Sequence, residues 1–386
     1  MGMAARLGWV AFFNDCSSEV LARVLPLYLV VSLGATPAFV GVVEGLAESA
    51  AIFLKGVSGW LSDRMASRKG FVLGGYGLSV AARACYLLTI SPVPLGLSRV
   101  LDRVGKGLRS APRDAMVADA ALAGRAGRDF GVTRFLDTLG ALAGIALVLA
   151  LGVGRGPIRA ATFRACAWIA LPVGLVALAL LLFWVPTVAR ATTAARRLAW
   201  HVPAEIRGYL AIVFVFSLAN SSDAFLVLKA REAGFSVRAI LGLFLVFNAL
   251  AAALAVPVGK LSDRFGRVRF LALGWAVYAA AYLAMGLART PWPFAAALLC
   301  YGAFYGLTEG VEKALLADLL RPEHRGTGFG ALQSVTGLAA LLASPLMGVL
   351  MTALGPGAAF LLTGALAAAA MVSLVAWAAW RRRPAA

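Results

Sequence analysis

Charge is scarce in this chain: 14% of its 386 residues are Asp, Glu, Lys or Arg, against roughly a quarter in ordinary soluble domains. So few charges cannot coat a water-soluble fold of this size, which excludes that class. Cysteine is scarcer still. The four, Cys16, Cys85, Cys166 and Cys300, lie in separate apolar stretches without C-x-x-C spacing, so neither a disulfide framework nor a thiolate metal site is expected. The two histidines, His201 and His324, fall between apolar stretches, not within them, and no metal-ligand cluster forms around them. A G-x-x-x-x-G-K-[ST] loop and a G-x-G-x-x-G turn between strand and helix are both missing. Nucleotide-driven work by this chain alone and soluble-enzyme chemistry therefore have no site. No cofactor and no metal are expected.

What the chain does have is apolar length. Hydrophobic residues make up 61% of it and fall in blocks of about 20, enough to cross a ~30 Å hydrocarbon core at 1.5 Å per helical residue. The blocks predict helices near 7–33, 39–62, 70–90, 94–119, 129–153, 164–187, 207–231, 236–260, 268–288, 292–320, 326–354 and 356–380. The first carries Asp15 and Glu19 and is too long for the apolar part of a signal peptide, so it is read as a retained helix, with Pro26 as its kink. The expectation is an all-α membrane protein of twelve spanning helices in two pseudo-symmetric bundles of six. Residues 1–187 form the first bundle, 188–206 a polar linker with Arg190, Arg196, Arg197, His201 and Glu205, and 207–386 the second.

The net charge of +18 sits mostly at block ends, where it sets topology and does not form a nucleic-acid stripe. With the N-terminus inside, Arg6, Arg64, Arg68, Lys69, Arg125, Arg128, the linker arginines, Arg264, Arg267, Arg269, Arg321, Arg325 and Arg381 to Arg383 all fall on one side. Only Arg155, Arg159, Arg164, Arg231 and Arg289 fall on the other. Both termini are therefore expected in the cytoplasm of a cell-membrane protein. The expected partners are the lipid bilayer, a small solute and protons, with no nucleic acid and a monomer as the working unit.

The halves repeat. Leu61-Ser62-Asp63-Arg64 returns 200 positions later as Leu261-Ser262-Asp263-Arg264, and Ala118-Asp119 and Phe130-Gly131 return 199 positions later as Ala317-Asp318 and Phe329-Gly330. Two repeated bundles related by an axis along the membrane normal are an arrangement used for alternating access, with the solute site at the repeat interface near the midplane.

Over its whole length the chain resembles the major facilitator superfamily. That family's loop G-x-L-[AS]-D-R-x-G-R-[RK] is matched by Gly59-Trp60-Leu61-Ser62-Asp63-Arg64-Met65-Ala66-Ser67-Arg68-Lys69, departing at Ala66 and Ser67, and again by Gly259-Lys260-Leu261-Ser262-Asp263-Arg264-Phe265-Gly266-Arg267. The resemblance implies a cytoplasmic latch. Gly59 and Gly259 would let helices approach, Asp63 and Asp263 would face a helix N-terminus or a basic partner such as Arg113, and Arg64, Arg68 and Lys69 would bridge loops when the inner side closes, with Arg264 the gating arginine of the second copy. Arg103-Val104-Gly105-Lys106-Gly107-Leu108-Arg109 resembles the R-x-x-Q-G-x-G of proton-coupled members, with Lys106 and Arg109 substituted. The fifth helix lacks the G-P-x-x-G-G ending of drug antiporters. Asp15-Cys16-Ser17-Ser18-Glu19 together with Asp102-Arg103-Val104-Gly105-Lys106-Gly107 looks like a bacterial permease subgroup.

Ionisable residues inside spans cost a few kcal/mol and normally line a path or pair with one another. Here Asp15 and Glu19 share a face of the first helix, Arg99, Arg103 and Lys106 a face of the fourth, with Asp102 within reach of Arg99 and Lys106. Arg134 neighbours Asp137 on the fifth helix, Glu44, Glu48 and Lys55 share a face of the second, Asp223 lies on the seventh, and Glu309 precedes Lys313 by four on the tenth. Arg83 on the third has no evident partner. The resemblance implies that the first, fourth, seventh and tenth helices line a cavity. Asp15, Glu19, Arg99, Asp102, Arg103, Lys106, Arg134, Asp223 and Glu309 are its candidate residues, while Glu309–Lys313 and Asp102 with Arg99 or Lys106 could equally be intrahelical pairs that touch no solute. The expected function is proton-coupled transport of a small polar solute, an anionic one being favoured by the basic cluster. Efflux of hydrophobic cations through the carboxylates is the rival, and a non-transporting membrane sensor the alternative of another class.

Overall fold

The computed structural model describes residues 2–62, 65, 67–88, 91–120, 126–153, 158–187, 204–320 and 325–381, and every regular element among them is a helix. In chain order these are α1 (Met3–Ala22), α2 (Leu25–Leu27) running into a π-helical turn (Tyr28–Ser32), α3 (Pro37–Ser62), α4 (Lys69–Leu88), α5 (Pro92–Ala120), α6 (Ala126–Ala150), α7 (Ala160–Phe183), α8 (Arg207–Ala219), α9 (Ala224–Glu232), α10 (Val237–Phe265), α11 (Arg267–Leu287), α12 (Pro291–Leu319), α13 (Arg325–Leu354) and α14 (Pro356–Arg381). Proline stands first in α3, α5, α12 and α14, where its missing N–H would have had no partner and its fixed φ already suits a helix. Gly266, at φ 97°, makes the corner between α10 and α11. A side chain there would be strained.

Two of the expected helices are interrupted. The first breaks at Arg23 and Val24, and Pro26 falls in the opening turn of α2. The seventh ends as α8 at Ala219 and resumes as α9 at Ala224. Ten stretches of the described chain are long and apolar enough to cross a membrane. The first and fourth expected spans are not among them, because α1 holds Arg6, Asp15 and Glu19 and α5 holds eight ionisable groups from Arg99 to Asp119.

The chain forms two compact units, residues 1–35 with 46–197, and residues 36–45 with 198–386. In the first, α1 packs on α6 and α7, and α4 on α5 and α7. The second repeats these pairings: α8 packs on α13 and α14, and α11 on α12 and α14. Small residues make the closeness possible. A Cβ on either Gly75 of α4 or Gly105 of α5 would fall within 2.6 Å of the other's carbonyl oxygen. At one end of the first unit the apolar core gathers Leu7 and Val10, Val72 and Tyr76, Met116 and Leu181. The second centres on rings, with Phe216 stacked on Trp275 at 4.1 Å and Tyr278 on Tyr282 at 4.2 Å.

Candidate functional site

In the first unit the close α4–α5 approach carries polar side chains into the interior. Arg83 of α4 is 1% exposed. Its Nη2 donates to Asn14 Oδ1 of α1 at 3.0 Å and to the Asn14 carbonyl at 3.4 Å, and lies 3.7 Å from Asp102 Oδ1 of α5. Arg83 thus has partners on two other helices, which spacing along α4 could not show. Asp102 thus has a cationic partner on α4, Arg83, in addition to the basic residues of its own helix. One turn on, Arg109 donates to Ser79 Oγ at 2.7 Å and covers the Tyr76 ring at 4.7 Å. Arg83, Arg99 and Asp102 line a small cleft with Ser18 and Tyr86, with room for about one water.

The remaining candidates of this unit are held separately. Arg103 meets Glu48 of α3 at 2.9 Å. Arg113 grips Asp137 of α6 through two nitrogens at 3.1 and 3.2 Å and touches Asp114 at 3.4 Å. Asp137 is therefore engaged across helices, while its sequence neighbour Arg134 is exposed. Asp15, half-buried, accepts from Asn14 Nδ2 at 3.0 Å. Glu19 pairs with Arg23 at 3.4 Å one turn away. Arg99 is buried, Arg103 half-buried and Lys106 exposed, so the expected basic face of α5 is graded in depth.

In the second unit the break between α8 and α9 is the polar centre. Its unwound backbone is tied down by Tyr278, whose hydroxyl donates to the Ala219 carbonyl at 2.7 Å, and by the Ser222 N–H, which donates to Ser344 Oγ at 3.1 Å. Ser222 Oγ in turn donates to Glu44 at 3.0 Å. Asp223, at the start of α9, makes no capping bond to its own helix. It accepts from Tyr301 and Tyr305 of α12 at 3.3 and 3.4 Å. Glu309 lies near Lys313 at 3.8 Å on the exposed side of α12.

The latch residues divide. Asp63 and Arg64 lie outside the described residues. Gly59 of α3 faces Ala111 of α5, where a Cβ would meet the alanine methyl at 3.1 Å, but a Cβ on Gly259 meets nothing within 4 Å. The expected close approach is seen at the first glycine alone. Asp263 and Arg264 are exposed, and Asp263 pairs with Arg267 at 3.0 Å. Arg113 is engaged with Asp137 of α6. The pairs that join the loops to neighbouring helices are Arg68 with Asp119 and Arg267 with Asp318. Sequence reasoning named Arg68 as a bridging residue but not its partner or the second pair, although the signal was there: each partner recurs at the same offset of 199.

The Major Facilitator Superfamily model matches residues 7–252 and, again, 209–386. The uncharacterized MFS-type transporter MJ1317 of Methanocaldococcus jannaschii is 31% identical over 352 residues, 89% of this chain and 87% of its own. The uncharacterized protein Rv2265 of Mycobacterium tuberculosis is 28% identical over 351 residues, 85% of this chain and 81% of its own. Among solved structures, a POT family transporter in complex with 5-aminolevulinic acid superposes with a TM-score of 0.81 at 13% identity, covering 98% of this chain and 96% of its own. The nucleoside transporter NupG gives 0.77 at 14%, covering all of both chains, and the human organic anion transporter MFSD10 gives 0.67 at 17%, covering 96% and 99%. At such identities the likeness is one of fold. The family match spans both halves of the chain, and the repeated packing of the two units agrees with it: this chain belongs to the Major Facilitator Superfamily and is a multi-pass membrane transport protein, not an enzyme.

Proposed function

We propose that this chain is a proton-coupled secondary transporter of a small polar solute, anionic in preference, working as a monomer by alternating access. In this reading twelve spans form two six-helix bundles, both termini are cytoplasmic, and the D-x-S-S-E and D-R-x-G-K-G signatures mark a permease subgroup. The observation that carries it is the load of ionisable groups on α5, three of which are held to three different helices: Asp102 to α4, Arg103 to α3 and Arg113 to α6. Charges at membrane depth cost several kcal/mol unless paired or hydrated. Pairs that cross between helices can exchange partners when helices move, whereas pairs within one helix cannot. The basic excess on α5, five Lys and Arg against three Asp from Arg99 to Asp119, favours an anion.

The test is proteoliposomes containing the purified protein and an internal pH-sensitive dye, given carboxylates, organic phosphates, sugars and amines in turn. A carboxylate or phosphate should drive proton movement, and Arg103→Ala should slow it about tenfold or more. Movement driven by hydrophobic amines alone would overturn the anionic assignment. It would support the second reading, cation efflux, which the convergence of Tyr301 and Tyr305 on Asp223 favours.

A further inference from the structure

Arg83 is the charged residue for which the sequence offers no partner, and it lies on a helix that the cavity reading does not use. At 1% exposure it is also the most deeply buried charge among the described residues. Its Nη2 has three oxygens to choose from. Those of Asn14 are at hydrogen-bond distance, Oδ1 at 3.0 Å and the carbonyl at 3.4 Å, whereas Asp102 Oδ1 is 3.7 Å away. The tighter tie is therefore to α1. Nη1 rests against α7, where a Cβ on Gly174 would fall 2.6 Å from it. A guanidinium enclosed in this way, on a side chain from α4 that reaches α1, α5 and α7, has little freedom to move.

Asn14 is likewise 1% exposed. An amide offers an acceptor on one side and donors on the other, and Arg83 can only donate. With Oδ1 turned to the guanidinium, Nδ2 is directed away from it, and it donates to Asp15 Oδ1 at 3.0 Å. Side chains adjacent in sequence do not ordinarily face one another on a helix. The opposite amide rotamer would set donor against donor at Arg83 and carbonyl oxygen against carboxylate at Asp15.

We infer that Arg83 is a positioning residue: acting through the Asn14 amide, it fixes the direction of the Asp15 carboxylate and keeps a donor on one of its oxygens. Its functional meaning rests on the proposed proton coupling, with Asp15 as one of the candidate cavity carboxylates, but the geometry can be tested without transport. Asparagine occurs only at positions 14, 220 and 248, and only Asn14 precedes an aspartate. Solid-state NMR of the full chain in lipid bilayers, labelled with ¹⁵N-Asn and ¹³C-Asp, can therefore assign this pair.

Strong through-space transfer from Asn14 Nδ2 to Asp15 Cγ is expected in the wild type. Arg83→Leu should lose most of it, and Arg83→Lys, which keeps a charged donor, should retain it. If Arg83→Leu does not assemble, Arg83→Met, unbranched and without a donor, is read in its place. Absence of the transfer in the wild type, or undiminished transfer in an assembled Leu or Met variant, would overturn the inference. An arginine that merely filled space would change thermal stability and leave the transfer as it was. The coupling role is judged separately: if Asp15→Asn keeps solute-driven proton movement, that role fails while the relay result stands.

Discussion

Arg68 donates to the carboxylate of Asp119, and 199 residues later Arg267 makes the same bond to Asp318; both pairs span 51 residues. The loop motif shifts by 200 at Asp63 and by 199 at Arg68, because one residue fewer lies between Arg264 and Arg267 than between Arg64 and Arg68. Arg68 is thus the structural counterpart of Arg267, although Ser67 occupies the motif's nominal arginine position.

These two pairs are expected to time the transport cycle. Asp119→Asn and Asp318→Asn should leave solute binding within about twofold and slow the conformational step, read by cysteine accessibility against time. The Arg267–Asp318 pair is half-exposed, so a double-mutant cycle on thermal unfolding should give a coupling of no more than about 1 kcal/mol. Lost binding with unchanged switching would refute the latch role.

Packing predicts a contrast between adjacent glycines. Gly75→Ala places a methyl 2.6 Å from the Gly105 carbonyl oxygen and 2.7 Å from Arg109 Cβ, whereas Gly74→Ala meets nothing within 4 Å. The first should cost about 1–3 kcal/mol by overpacking. The second should be neutral or stabilising by up to about 1 kcal/mol, since alanine is the better helix former. Unfolding of the two purified variants tests this, and equal midpoints would contradict it.

Arg103 and Glu48 should act as a unit. Arg103→Lys keeps the charge but loses the planar fork, so proton movement driven by an active solute should already slow. Arg103→Ala should lower kcat/KM about tenfold or more, the worth of a charged hydrogen bond. Glu48→Arg combined with Arg103→Glu should recover part of the loss. Normal rates in Arg103→Lys at equal expression would remove Arg103 from the site.

Orientation is tested by labelling. In a background free of the native cysteines, Ala195→Cys in the linker and Ala385→Cys at the C-terminus should react only with reagent admitted to the cytoplasm. Modification of either from outside intact cells would reverse the assignment.

That the chain is helical, that its helices are of membrane length and nearly where they lie, and that the halves repeat can all be read from residue order alone. Hydrophobic block length, proline at helix starts and charge at block ends are local signals, each readable within some twenty residues. The same local reading placed Asp15, Arg103 and Asp223 among the residues worth watching. Their partners came from helix packing. Arg83 to Asn14, Arg103 to Glu48, Arg113 to Asp137 and Tyr301 to Asp223 all join different helices. Spacing along one helix reports which side chains share a face, but says nothing about which neighbouring helix that face meets. The break in the seventh helix belongs to the same class: it persists because Tyr278 and Ser344 from other helices satisfy the backbone groups it exposes, whereas Pro26 already marked the kink in the first helix.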